Sequence, residues 1–100
     1  MIRGGCVYIM ANQHHTVLYT GVTSDIISRI QQHRSKFRTS SFTAKYNVDK
    51  LVYYKPFPTI EEAIAEEKRI KAGNRKQKIS LIESMNPGWE DLWITGISKW

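Results

Sequence analysis

Two short segments near the start of the chain are rich in β-branched and aromatic residues, and a polar segment separates them. Residues 6–10 read CVYIM, residues 17–22 read VLYTGV, and the connection includes residues 11–15, ANQHH. Two β-type runs joined by a short, turn-like connection predict an antiparallel hairpin. The hairpin commits the rest of the chain to a fold that is built around a sheet.

A helix and a third strand are predicted after the hairpin. Thr23 or Ser24 is suited to cap the helix, Asp25 then lies in its first turn, and the helical pattern runs to about residue 34. Residues 51–54 (LVYY) predict the third strand, which we expect to end near Pro56.

Two more helices follow in the pattern. Thr59, with Glu62 three residues later, has the spacing of a capping box and predicts a helix to about residue 71. Gly73 and Asn74 end that helix, and a third helix covers about 75–84. The sequence therefore predicts an α/β fold of order β-β-α-β-α-α, with a small, three-stranded, mainly antiparallel sheet flanked by three helices.

Length and composition exclude several classes of protein. A chain of 100 residues fits one domain, and we expect residues 1–100 to form it, with a core from about 5 to 93. One cysteine allows no internal disulfide, and no apolar run approaches the ~20 residues of a membrane span. We therefore expect a cytoplasmic domain rather than a membrane protein, a secreted scaffold or a multidomain enzyme.

Basic residues outnumber acidic ones and are clustered. There are 15 Lys and Arg against 9 Asp and Glu, which gives a net charge of +6. Clustered cations near hydroxyl groups suit phosphate contacts, although a solvated surface that only aids solubility has the same composition. The candidate nucleic-acid-binding residues are Arg34, Lys36, Arg38, Lys45, Lys71, Arg75 and Lys76.

Glu67 has an unusual position in the second predicted helix. The apolar stripe of that helix contains Ile60, Ala63, Ile64 and Ile70, and Glu67 lies in the middle of the stripe. A buried, unpaired carboxylate costs several kcal/mol. Its charge therefore needs a cation, a metal or an open cleft, or the residue forms an ion pair with Lys71 at i+4, while Glu61, Glu62 and Glu66 point away from the sheet.

The first helix and the hairpin supply further polar candidates. Arg29 and His33 are four residues apart and share one flank of the first helix, where they could meet an anion or simply lie at the surface. Tyr8 and Tyr19 lie in the two hairpin strands, either as core residues or at a site. Gly21 shares a strand face with Tyr19 and indicates a close approach by backbone or ligand.

The remaining candidate site residues are predicted to have structural roles. His14 and His15 are adjacent in the predicted turn, and adjacent side chains rarely bind one metal. Cys6 is predicted to lie in the core. Trp89 and Trp93 are predicted to pack the C-terminal segment against the sheet, although indole rings also stack on bases.

These residues together resemble the GIY-YIG nuclease superfamily. The matching features are Val7-Tyr8, Tyr19-Thr20-Gly21, Arg29 with His33, and Glu67, in order and at fitting spacings. LVYYKPF, AIAEEKRIK, KISLIE and NPGWEDL resemble its short, stand-alone bacterial branch, which is related to the nuclease domain of the excinuclease 3′-incision subunit. The chain departs from the pattern where Cys6 replaces a usual glycine and Thr20 a usual isoleucine.

The resemblance implies a metal-dependent endonuclease that hydrolyses DNA phosphodiester bonds, for example in DNA repair. The implied catalytic residues are Tyr8, Tyr19, Arg29, His33 and Glu67. Glu67 would hold one Mg²⁺ or Mn²⁺, and Arg29 would contact nonbridging phosphate oxygens. The resemblance implies Tyr19 as the general base and Tyr8 as the residue that orients water or phosphate. His33 would assist, or would receive the proton instead, directly or through Tyr19. The alternative is a non-catalytic nucleic-acid-binding module that acts through a protein partner, and such a partner could also supply the specificity of a nuclease.

Overall fold

The computed structural model describes residues 4–35 and 45–95, and their secondary structure follows the predicted order. The elements are β1 (Gly5–Ala11), β2 (Leu18–Thr23), α1 (Ile26–Ser35), β3 (Lys50–Phe57), α2 (Ile60–Ala72), α3 (Arg75–Met85) and α4 (Leu92–Thr95). The predicted order β-β-α-β-α-α is confirmed, and the short helix α4 is added to it. Nothing in the described part of the chain is a helix long and apolar enough to cross a membrane.

The sheet has the strand order β2-β1-β3, and both strand pairs are antiparallel. The predicted three-stranded sheet is therefore confirmed. Its central strand, β1, is buried along its whole length. β3 continues through Pro56 to Phe57, beyond its predicted end. An edge strand tolerates this proline because one of its sides has no partner strand to receive an N–H bond.

Each face of the sheet has its own apolar cluster, because successive side chains of β1 point to opposite sides. We call the side covered by α1 the α1 face; its buried members are Cys6, Tyr8, Met10, Ile26, Ile30, Val48 and Leu51. We call the side covered by α2 and α3 the α2 face; its buried members are Val7, Ile9, Ala11, Val52, Tyr53, Ala63, Ile70 and Ile82. The predicted core position of Cys6 is confirmed.

The helix caps differ in detail from those predicted. Asp25, not Thr23 or Ser24, caps α1, because its carboxylate accepts a hydrogen bond from the Ser28 backbone N–H at 3.2 Å. Thr59 caps α2 as predicted and accepts from the Glu62 N–H at 3.2 Å. The Glu62 carboxylate accepts from the Thr59 hydroxyl, however, so the reciprocal backbone bond of a capping box is replaced by a bond between side chains.

A second capping box starts α3 at a position that the sequence pattern did not single out. The Asn74 side chain accepts from the Gln77 backbone N–H, and the Gln77 side chain accepts from the Asn74 backbone N–H. Gly73 ends α2 as predicted and donates its N–H to the Ile70 carbonyl. The tight link between α2 and α3 therefore has a cap on both sides.

The C-terminal segment is tied to both faces of the sheet. Trp89 packs against the cluster on the α2 face and Trp93 against the cluster on the α1 face, as predicted. Asp91 bonds the Arg34 guanidinium at 2.6 Å and accepts from the Leu51 backbone N–H at 3.3 Å. These bonds fix the C-terminal end of α1 beside the start of β3.

Candidate active site

Tyr8 occupies the centre of the α1 face. It lies in the middle of β1, opposite Gly21 of β2 and Tyr54 of β3, and none of its surface is exposed. The sequence predicts a Tyr8 that orients water or phosphate directly. In the structure the phenol reaches solvent only through its neighbours, so any effect it has on a substrate must pass through them.

Gly21 leaves the space that the Tyr8 ring occupies. A Cβ atom at Gly21 would lie 2.5 Å from both Cζ and the hydroxyl oxygen of Tyr8, which is far inside van der Waals contact. The close approach predicted for this glycine is therefore made by a side chain of the neighbouring strand, and it sets the phenol over β2.

α1 brings its two polar side chains onto this phenol. Arg29 and His33 are one helical turn apart, and the Asp25 cap fixes where the helix begins. The Tyr8 hydroxyl lies 3.1 Å from His33 Nε2. The Arg29 guanidinium lies near enough to the Tyr8 phenol and to His33 to lower the pKa of both groups.

Tyr19 completes the cluster from the edge strand. Its ring centroid lies 5.5 Å from that of His33 and 6.3 Å from that of Tyr8, and the two Tyr8 and His33 centroids are 5.7 Å apart. Tyr19, Arg29 and His33 are each half-buried, so they present polar atoms toward solvent above the sealed Tyr8. We call these four residues the Tyr8 cluster.

Burial and charge set the protonation of the cluster. Burial raises the pKa of the Tyr8 phenol well above its ordinary value, and the Arg29 charge offsets only part of that rise. Burial lowers the pKa of His33 below its ordinary 6.5, and the Arg29 cation lowers it further. At neutral pH the cluster therefore contains a neutral phenol and a neutral imidazole beside a guanidinium, so the imidazole is the better proton acceptor of the two.

Glu67 lies on the other side of the sheet from most of this cluster. It belongs to α2, between the buried Ala63 and Ile70, and its side chain is 14% exposed. Its Oε2 is 2.7 Å from Lys71 Nζ, which is the i+4 ion pair that the sequence left open as an alternative. Lys71 lines an open pocket at the edge of β2 together with Tyr19, so the two sides of the site approach each other at that edge.

The donor set of Glu67 fits a hard divalent cation bound through one protein ligand. Within the described residues there is no group of three or more His, Cys, Asp or Glu side chains that could hold a metal. Mg²⁺ keeps several waters and is often held by one or two carboxylates plus phosphate oxygens, so a lone carboxylate at a solvent-accessible rim suits it. Lys71 is 53% exposed and can leave Glu67 when a cation arrives.

The neighbouring Glu66 differs from its prediction. It was expected to point away from the sheet with Glu61 and Glu62, but its side chain is only 16% exposed. Arg69 pairs with it at 2.6 Å, and this bond lowers the pKa of the Glu66 carboxyl. The charge of Glu66 also raises the pKa of Tyr53 on β3, although burial of Tyr53 raises it more. α2 thus turns two adjacent carboxylates toward the protein, and each has its own cation.

The predicted nucleic-acid-binding residues fall into three groups. Lys36 and Arg38 lie outside the described residues. Arg34 and Arg75 are engaged within the fold: Arg34 bonds Asp91, and the Arg75 guanidinium donates to the His15 carbonyl. The exposed group comprises Lys45, whose ammonium lies over the Tyr46 ring, and Lys71 and Lys76.

The predicted turn contains a histidine with a structural role. The imidazole of His15 stacks on Trp89 with 4.4 Å between ring centroids, and its Nε2 is 3.0 Å from Lys50 Nζ. Burial, Lys50 and His14 each lower the pKa of His15. These contacts attach the hairpin turn to the C-terminal segment, on the α2 side of the sheet.

Lys78 is the residue at this site that sequence reasoning missed. It lies on α3, is half-buried, and lines the β2-edge pocket together with Tyr19 and Lys71. Lys78 lies in a run of basic residues between Lys68 and Lys78, and nothing in its spacing distinguishes it from Lys76, which is exposed. Only the packing of α3 against the sheet separates the two lysines.

Comparison with known proteins agrees with this geometry. The family model of the GIY-YIG catalytic domain matches residues 4–80. A UPF0213 protein from Staphylococcus haemolyticus is 34% identical over 77 residues, covering 77% of this chain and 92% of the relative. A UPF0213 protein from Oceanobacillus iheyensis is 35% identical over 77 residues, with 77% and 87% coverage.

A solved structure shows the same fold. The solution NMR structure of a UPF0213 protein from Bacillus halodurans matches with a TM-score of 0.56 and 30% identity, over 87% of this chain and 90% of that one. The matched segment contains the Tyr8 cluster, Glu67 and the β2 edge. The chain therefore belongs to the GIY-YIG nuclease family and is a relative of its short UPF0213 proteins.

Proposed function

We propose that this chain is a divalent-metal-dependent endonuclease that hydrolyses DNA phosphodiester bonds. Membership of the family implies a nuclease that acts on DNA. The observation that carries the proposal is the Tyr8 cluster, in which a guanidinium, two phenols and a neutral imidazole meet on the α1 face of the sheet. Phosphodiester hydrolysis needs a group that binds the charged phosphate and a group that accepts the proton of the attacking water, and the cluster contains both.

Arg29 is the phosphate anchor in this proposal. Its side chain is half-buried and lies near enough to the Tyr8 phenol to lower the pKa of that group, so the positions open to its fork of N–H donors are restricted before a substrate arrives. A guanidinium contacts two oxygens of a phosphate at once, which an ammonium cannot do with the same geometry. Arg29 would therefore hold the nonbridging oxygens as negative charge builds on them.

His33 is the favoured proton acceptor, with Tyr8 as its positioning residue. The lowered pKa of His33 keeps the imidazole neutral at physiological pH, while the raised pKa of Tyr8 makes that phenol a poor base. With Nε2 protonated, His33 donates to the Tyr8 hydroxyl oxygen, which fixes the orientation of the ring and places the lone pair of the imidazole on Nδ1. Tyr19 lies against His33 on the solvent side, where its hydroxyl can hand a proton from water to the imidazole.

Glu67 would hold one Mg²⁺ or Mn²⁺. When bound, the ion supplies positive charge beside the phosphoryl group and the leaving oxygen. The contribution of the protein is the carboxylate itself, which α2 keeps at the rim between Ala63 and Ile70. Lys71 neutralises this carboxylate in the free protein, so that the buried flank of α2 never contains an unpaired charge.

The wider function is proposed on the same basis. The net charge of +6 favours a polyanionic substrate, and the branch of the family related to a repair excinuclease suggests a role in DNA repair or processing in the cytoplasm. Exposed cations contact phosphates without reading sequence, so a protein partner would supply much of the substrate specificity. In the described segments these cations are Lys45, Lys55, Lys68, Arg69, Lys71, Arg75 and Lys76.

The test compares two adjacent carboxylates. Purified Glu67→Gln and Glu66→Gln variants are incubated with supercoiled, branched and flapped DNA in Mg²⁺ or Mn²⁺. We expect Glu67→Gln to abolish cleavage, EDTA to abolish it for the wild type, and Glu66→Gln to retain it, because Glu66 pairs with Arg69 and does not line the β2-edge pocket. Cleavage that survives Glu67→Gln would overturn the proposed role of Glu67 and point to another site or a contaminant.

The Glu67–Lys71 ion pair is the observation that favours the second candidate, a non-catalytic nucleic-acid-binding module. A carboxylate that needs only a lysine partner has a purely structural role. Salt-dependent binding to the same DNA substrates, without cleavage in any divalent metal, would establish this second candidate and rule out the nuclease.

A further inference from the structure

An open pocket of about 340 Å³ lies at the outer edge of β2, between the α1 face and the α2 face. Its lining residues are Leu18, Tyr19, Thr20, Lys71 and Lys78. β2 is an edge strand, so no further strand covers this side. The pocket therefore joins the solvent side of the Tyr8 cluster, through Tyr19, to the rim that contains Glu67, through Lys71.

The pocket has unused hydrogen-bond donors. Lys71 Nζ has Glu67 as its partner at 2.7 Å, and Lys78 Nζ donates to the Gly73 carbonyl at 2.8 Å. An ammonium group has three N–H donors, so each lysine keeps two for another acceptor. Lys78 is half-buried and its bond to the Gly73 carbonyl restrains the side chain, which reduces the entropy lost when it binds an anion.

The charges of the pocket favour an anion of modest size. Two ammonium groups oppose a single carboxylate, that of Glu67, and Lys71 can keep its bond to Glu67 while its other N–H donors bind a ligand. The apolar side chain of Leu18 and the ring of Tyr19 lie beside the ammonium groups. This alternation of cationic and apolar surface suits a phosphate with a sugar attached better than a free inorganic ion.

We infer that this pocket is a second phosphate subsite, which binds a non-scissile phosphate of the DNA strand through Lys71 and Lys78. The inference rests on the proposed function and extends it, because it defines the path of the strand. In this arrangement the scissile phosphate lies between Arg29 on the α1 side and the rim that contains Glu67, and the strand then continues along the edge of β2 to the two lysines. Tyr19 lies where the two subsites meet.

The test measures binding without cleavage. The full chain, in EDTA, is titrated with a short fluorescent DNA duplex at salt concentrations between about 50 and 200 mM. For a lysine that neutralises one phosphate, removal lowers the slope of log affinity against log salt by about 0.9. We expect that decrease for Lys71→Gln and for Lys78→Gln, and about twice that decrease for the double variant.

Matched variants separate this subsite from general charge and from misfolding. Lys68→Gln removes one exposed ammonium of α2 that does not line the pocket, and we expect its slope to stay at the wild-type value. Lys78→Arg keeps the charge and should restore the slope that Lys78→Gln loses. Lys78→Gln with wild-type circular dichroism but unchanged slope and affinity would overturn the subsite.

Further outcomes distinguish a failure of the phosphate subsite from a failure of the proposed nuclease activity. Loss of cleavage in Glu67→Gln together with unchanged DNA binding in both lysine variants would overturn the subsite and leave the nuclease standing. NMR shifts of the Lys71 and Lys78 signals by millimolar inorganic phosphate, without any effect of either lysine on DNA binding, would identify a small-anion site and also overturn the subsite. Reduced slopes in both lysine variants support it even if no substrate is cleaved.

Discussion

The two faces of the sheet use the same central strand but handle polar groups in opposite ways. On the α1 face, Tyr8 is buried in the middle of the core and its hydroxyl is bonded to His33. On the α2 face, β1 contributes only apolar side chains, and the charged groups Glu67 and Lys71 lie at the rim of α2. On the α1 face the same buried polar group therefore contributes to the core and to the candidate site. On the α2 face the core residues and the charged residues of the candidate site are different.

This difference predicts how each face responds to substitution. A polar group in the core is costly to remove or to crowd, because its partners stay buried without it. A charged group at a rim can be changed with little effect on folding, because water replaces its partner. Variants on the α1 face should lose both stability and activity, and variants on the α2 face should lose activity or binding alone.

The largest expected effect is on catalysis at Arg29. Arg29→Gln removes the guanidinium that we assign to the nonbridging phosphate oxygens, and arginines in such positions contribute about 10³–10⁵ in rate. We expect a decrease of at least about 10³ in the single-turnover rate of DNA cleavage. Arg69→Gln is the control, since Arg69 is exposed and pairs with Glu66. Equal rates for the two variants would show that Arg29 does not act on the substrate.

The next effect is on stability, at Gly21. Gly21→Ala places a methyl group 2.5 Å from the Tyr8 ring, and that ring cannot move away without breaking its bond to His33. Crowding of this kind costs about 1–3 kcal/mol in the free energy of unfolding. Gly88→Ala is the matched control, because its methyl group would meet only Glu90 atoms at 3.6 Å or more. Urea unfolding curves in which both variants are equally stable would contradict the assigned role of Gly21.

The sequence predicts the α1 face well because its pattern is local. Alternation in the hairpin places Tyr8 and Tyr19 on definite strand faces, and the i, i+4 spacing places Arg29 and His33 on one flank of a helix. The register that sets Tyr8 opposite Gly21 is not local, since it depends on the length of the connection between β1 and β2. The hydrogen bond between Tyr8 and His33 likewise needs the packing of α1 on the sheet.

The α2 face is harder to predict because the spacing of residues along a helix does not fix which partner each charged side chain takes. The helical pattern allows Glu67 either a metal or Lys71, and only coordinates show which partner it has in the free protein. The same pattern places Glu66 outward, but the contact with Arg69 and the nearness of Tyr53 hold it against the protein. Lys78 reaches the edge of β2 only because α3 packs against the sheet.

The smallest expected effect tests the electrostatics of the α1 face directly. Burial and the Arg29 cation lower the pKa of His33 below its ordinary 6.5. Because the unfolded chain then binds a proton at His33 more readily than the folded protein does, stability should decrease as the pH falls through about 6.5. In an NMR titration of the imidazole signals, we expect His33 of the wild type to titrate below 6.5.

Arg29→Gln should raise the pKa of His33 toward its ordinary value, because it removes a cation but leaves the burial in place. His15 provides an internal control in the same spectra. Its pKa is lowered by burial, Lys50 and His14, with no contribution from Arg29, so it should not move. If both histidines shifted together, the variant would have altered the fold. If the pKa of neither histidine changed, burial alone would set the pKa of His33, and Arg29 would not tune the proton acceptor that we assign to this face.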